Sequence, residues 1–181
     1  MRRVLHGVSP SNHFQLFGLE PSVDLDVKAL EHRYRQLSLE SHPDRQANPG
    51  ARVQAAALSA SLNEAMRVLK DPARRATYLL KLKGVDLEAE QAGARVQLPL
   101  DFLEAVLARR EALEAATGRG DLAAAQALAG EIRAARAASL EAAQAALRQD
   151  QVPQAALALA QLRYYGRFLE EFDAFEENHA P

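Results

Sequence analysis

The 181-residue sequence contains no cysteine. Disulfides, thiolate nucleophiles and cysteine-ligated zinc or iron-sulfur centres within the chain are therefore excluded. No apolar run approaches the roughly 20 residues that cross a bilayer as a helix. Residues 1–10 carry two arginines but no apolar core, so they do not read as a secretory signal. The expected location is the cytoplasm. A dominant charge is missing too. Lysine and arginine total 22 against 24 aspartate and glutamate, a formal net charge of -2, so nothing global points to nucleic acid or an anionic membrane. No Gly-x-x-x-x-Gly-Lys stretch occurs, so the chain is not expected to hydrolyse ATP itself. With no nucleophile set beside a base and no His/Glu cluster, we expect neither enzyme activity nor a bound metal or cofactor.

What is present is helical periodicity. Strict apolar alternation persists nowhere, and valine and isoleucine are scarce beside alanine and leucine, so the chain reads as all-α. A short helix is expected over 12–16, ending near Gly18 and Pro21. Asp24 or Asp26 stands where it can cap a helix over 26–41, whose apolar stripe is Val27, Leu30, Tyr34 and Leu37. At about 100° per residue, Lys28, His32 and Arg35 fall on the opposite face, with Arg33 at its flank. Pro43 ends this helix, because the residue before a proline is pushed out of the α region. A helix over 49–70 carries Ala55, Leu58, Leu62, Ala65 and Leu69. Asp71 then caps a fourth, with Pro72 at its first position, running through Tyr78, Leu79 and Leu82 to Gly84.

Beyond Gly84 the pattern weakens. Residues 85–98 read as a linker in which 87–91 could form a short helix. Three longer helices follow: one over 99–117, one from an Asp121 cap to about 149, and one opened by Pro153. The second carries Leu128, Ile132, Leu140 and Leu147, and the third Leu162, Tyr165, Leu169 and Phe172. Short connections between them favour an antiparallel three-helix bundle. The expected organisation is 1–84, a linker over 85–98, and a bundle over 99–181. No spare heptad seam is visible, so a monomer is expected.

The residues His42-Pro43-Asp44 offer the most specific chemistry. The proline holds a tight turn that leaves His42 and Asp44 exposed at a fixed geometry. A carboxylate so held can accept a charge-assisted bond from a partner's arginine. The basic face of the preceding helix, Lys28, His32, Arg33 and Arg35, can steer toward an acidic surface. The plainer alternative is a turn that merely stops a helix. Placement between two amphipathic helices, the first with a basic outer face, favours docking. His6, His13, His32 and His179 show no metal-ligand spacing and are expected to be solvated.

A helix, a His-Pro-Asp turn and a second helix resemble a J-domain, the module that binds a DnaK-class chaperone ATPase and speeds its hydrolysis. Further stretches resemble one family of J-proteins. They are His13-Phe14-Gln15-Leu16-Phe17-Gly18-Leu19, Arg74-Arg75-Ala76-Thr77-Tyr78-Leu79-Leu80, Phe102-Leu103 with Arg110-Glu111-Ala112-Leu113, and Leu162-Arg163-Tyr164. In this order and spacing they resemble the HscB co-chaperones of iron-sulfur cluster assembly, and nearly the whole chain is covered. No Gly/Phe-rich linker follows Gly84, as a general folding J-protein would have.

The resemblance implies two partners, a DnaK/HscA-class chaperone ATPase and an IscU-like iron-sulfur scaffold protein. It carries scaffold binding onto Leu103, Glu104, Leu107 and Tyr164. Helical spacing agrees in part: Phe102 and Val106 can face a core while Leu103 and Leu107 form a neighbouring stripe, and excess apolar surface marks binding sites. Glu104 departs from the family, which usually has a large apolar residue there. That carboxylate motivates an alternative, a J-domain protein serving a different client. A more distant alternative is a helical nucleic-acid-binding protein using Lys28, Arg33, Arg35, Arg74 and Arg75, against which the net charge of -2 argues.

Overall fold

The structure, a computed structural model, describes residues 12–42, 48–87 and 96–179. Among these residues seven helices are formed: α1 (His13–Leu16), α2 (Val27–Glu40), α3 (Pro49–Lys70), α4 (Pro72–Leu82), α5 (Leu100–Gly118), α6 (Leu122–Arg148) and α7 (Val152–His179). No strand occurs among the described residues. The fold is all-α, as expected.

Local chemistry sets the helix ends. The side chains of Asn12, Asp26, Asn48, Asp71 and Asp121 accept from backbone N–H groups of the first turns of α1, α2, α3, α4 and α6. Each satisfies donors that a helix start otherwise leaves unpaired. Gly84 and Gly120, after α4 and α5, have φ of 89° and 65°, the left-handed conformation in which glycine ends a helix without steric cost.

The chain divides into two compact units, Met1–Leu79 and Leu80–Pro181. In the first, α1 and α2 pack on α3. Phe14, Leu30, Leu62 and Leu69 are almost wholly buried there. The hydroxyl of Tyr34 on α2 donates to Asn63 Oδ1 on α3 at 2.7 Å. Lys70 on α3 pairs with Glu31 on α2 at 2.7 Å.

Three residues of this unit depart from expectation. Arg75 is a core residue rather than a surface cation, with only 5% of its surface exposed. Its Nε donates to the carbonyl oxygen of Val23 at 3.0 Å and a terminal nitrogen to that of Leu69 at 2.6 Å. Burial lowers its pKa, against the pull of Asp71 and Asp24. His13 is half-buried rather than solvated. Its ring stacks on Tyr78 with centroids 4.3 Å apart, and its backbone N–H donates to the Tyr78 hydroxyl at 3.0 Å. Desolvation lowers its pKa below the ordinary 6.5, with Glu64 opposing and Arg67 assisting. Leu58 stays exposed on an open groove that it lines with Leu37, Ser41, Ala51 and Ala55.

In the second unit, α6 and α7 form a long antiparallel hairpin joined through residues 149–151. Ala125, Ala129, Ala143 and Ala146 on α6 and Ala155, Ala156 and Ala158 on α7 are buried, so small side chains let the two backbones approach. The helix α5 adds Leu113 and Ala116 to a core of Ile132, Tyr165, Phe168 and Phe172. Lys83 Nζ pairs with Asp150 at 2.5 Å, and Arg163 donates to the carbonyl of Leu87. Residues 80–82, the last turn of α4, group with this unit. The short helix considered over 87–91 lies, beyond Leu87, outside the described residues.

Candidate partner-docking surfaces

The first candidate surface is built on α2. Leu30 anchors the helix in the core, which turns the opposite face to solvent. Lys28, His32 and Arg35 are exposed on it, at intervals of four and three. Arg33 is half-buried at the flank and donates to Gln36 Oε1 at 2.9 Å. Of the two acids of α2, Glu31 stands beside Arg35 of this face and is already paired. The Lys70 ammonium, hydrogen-bonded to Glu31, holds that carboxyl below its ordinary pKa. The result is a face of cations with its neighbouring carboxylate already engaged.

The C-terminal end of α2 is closed by Ser41, whose buried hydroxyl donates to the carbonyl of Leu37 at 2.7 Å. His42 follows and is exposed. Pro43 and Asp44 lie outside the described residues.

The second candidate surface lies on α5 and α7. Phe102 packs against the bundle core and Val106 is half-buried. Leu103 and Leu107, on the adjoining flank, are 39% and 58% exposed. Leu100, one turn earlier, is 71% exposed and lengthens the stripe. The i, i+3 spacing could have found Leu100 in the sequence. Glu104 is exposed beside the stripe. The ring of Phe102 meets Tyr164 and Tyr165 edge-on, at 6.0 and 5.6 Å between centroids, which sets Tyr164 beside the first turns of α5. The Arg167 guanidinium lies over the Tyr164 ring, 5.9 Å from its centroid. Nothing in the sequence pattern singles out Arg167 except its i, i+3 spacing from Tyr164.

Among the described residues no three His, Asp or Glu side chains converge as a metal site, and no helix is long and apolar enough to cross a membrane. The burial of Arg75 removes one of the five cations on which a nucleic-acid surface would have drawn.

Residues 12–78 match the family model described as the DnaJ domain, and residues 98–173 match the HSCB C-terminal oligomerisation domain. Among solved structures, chaperone HscB from Vibrio cholerae superposes with a TM-score of 0.76 at 31% identity, over 93% of this chain and 99% of that one. The chain belongs to the HscB co-chaperone family. Human co-chaperone HscB superposes with a TM-score of 0.81 at 26% identity, over 95% of this chain and 86% of that one. A co-chaperone HscB homolog of Aeromonas salmonicida is 48% identical over 82 residues, which are 44% of this chain and 48% of that protein. The matched stretch thus spans about half the length of that curated HscB relative.

Proposed function

We propose that the chain is an HscB-type co-chaperone of iron-sulfur cluster assembly, working through two protein contacts and no chemistry of its own. A J-domain over 1–84 docks on a DnaK/HscA-class chaperone ATPase. Lys28, His32, Arg33 and Arg35 steer the approach, and the residues His42, Pro43 and Asp44 engage the ATPase. The bundle over 99–181 holds an IscU-like scaffold protein on Leu103, Glu104, Leu107 and Tyr164. The observation that carries this reading is the match to both family models, in order, on one chain. It is supported by the exposure of the basic face of α2 and of the α5 stripe.

Binding of scaffold and J-domain to one ATPase couples two sites, so hydrolysis should rise more with both present than the separate effects allow. The test is steady-state ATP hydrolysis by the DnaK-class chaperones of the same cell, with wild-type chain or His42→Gln added. Stimulation by the wild type alone is expected. No stimulation by either form would overturn the reading. A J-domain protein serving a different client is the second reading, favoured by the exposed carboxylate of Glu104. Stimulation without capture of the scaffold in a pull-down would select it.

A further inference from the structure

Several charged side chains of the second unit are matched in pairs. Lys83 meets Asp150, Arg110 meets Glu171, and Arg133 meets Asp173. Glu104 and Arg167 are exposed charges without an ion-pair partner among the described residues. They border the same apolar stripe from opposite sides. Arg110, which reaches across to Glu171 on α7, points within about 20° of Leu103 around the helix axis. That flank of α5 therefore faces α7, where Arg167 covers the Tyr164 ring. Glu104 lies about 60° beyond Leu107 on the far flank. The stripe of Leu100, Leu103 and Leu107 thus has a carboxylate along one border and a guanidinium along the other.

We infer that Glu104 and Arg167 determine specificity for the protein that docks on this stripe, and that this partner carries a basic group opposite Glu104 and an acidic group opposite Arg167. The inference rests on the scaffold-binding reading above and deepens it. Apolar contact with the leucines and Tyr164 supplies affinity without orientation, because burial of apolar surface is non-directional. Two opposite charges across the stripe make it polar, so only one approach places like against unlike. A partner offering an apolar group opposite Glu104 would leave a carboxylate desolvated without compensation and is rejected.

The test measures association and dissociation rates with the purified IscU-like scaffold of the same cell, at low and high salt. Rim charges act mainly on association, so Glu104→Lys and Arg167→Glu should each slow it about three- to tenfold at low salt and flatten its salt dependence. Glu104→Asp should stay near wild type. Leu107→Ala should instead speed dissociation. Wild-type rates and salt slope in Glu104→Lys, alongside weakened binding by Leu107→Ala, would overturn the charge assignment alone. Tighter binding by Glu104→Met with an unchanged salt slope would do the same. Unaltered binding by Leu107→Ala and Tyr164→Ala would remove the underlying reading. Self-association of the chain that Leu107→Ala abolishes would make the stripe a contact between copies and overturn the proposal.

Discussion

The guanidinium of Arg75 donates to the carbonyl oxygen of Val23, 52 positions earlier in the chain. With its second bond to Leu69, it joins the connection before α2 to the end of α3. Arg75→Met should therefore cost about 2–3 kcal/mol, since two acceptors lose a charged donor. Urea unfolding should show a lower midpoint at unchanged slope. Arg75→Lys should recover little, because an ammonium lacks the planar fork that serves both carbonyls.

His13 makes the first unit sensitive to pH. In the unfolded chain its imidazole takes up a proton near the ordinary 6.5, whereas in the fold burial delays uptake to lower pH. Below that value the unfolded state binds more protons, so stability should be full above pH 6.5 and decline as the pH falls. His13→Phe keeps a ring against Tyr78 and removes the titration. Unfolding free energies on either side of pH 6.5 should differ in the wild type and converge in the variant.

The bond between Tyr34 and Asn63 holds α2 against α3 without touching the basic face. Tyr34→Phe should lose about 1 kcal/mol of stability. Well below the unfolding temperature, stimulation of the chaperone ATPase should persist. Loss of stimulation in a folded variant would show that the hydroxyl serves the partner rather than the hairpin.

Leu107 is exposed, so Leu107→Ala should change stability by less than about 0.5 kcal/mol. Scaffold binding should weaken roughly tenfold, the ordinary effect of truncating an interface anchor. Calorimetric titration beside a thermal melt separates the two effects.

Phe172 is fully buried in the bundle, with Arg133 over its ring at 5.3 Å. Phe172→Ala should cost about 3–5 kcal/mol, most of it from the cavity left behind. Because Phe172 lies in the second unit, chaperone stimulation by the first should survive better than scaffold binding.

The sequence by itself determines the elements and much of the exposed chemistry. The bounds of α3 follow from signals within a few residues: Asn48-Pro49 at one end, Asp71-Pro72 at the other. The exposure of Lys28, His32 and Arg35, and of Leu103 and Leu107 beside Phe102, follows from helical spacing alone. Capping and periodicity are short-range, and each is written in adjacent residues.

Tertiary structure decides what happens to polar side chains that leave the surface. Arg75 reads as one more cation until a carbonyl from Val23 arrives to satisfy it. His13 reads as solvated until Tyr78, 65 positions away, covers its ring. Leu58 belongs to the α3 stripe by spacing, yet it borders an open groove against α2 and stays uncovered. Arg167 gains its place beside the stripe only when Phe102 brings α5 against Tyr164. For Arg75, His13 and Arg167 the deciding partner is remote in the chain. Burying a polar group is tolerated only where such a partner repays its lost hydration, and no local pattern encodes that.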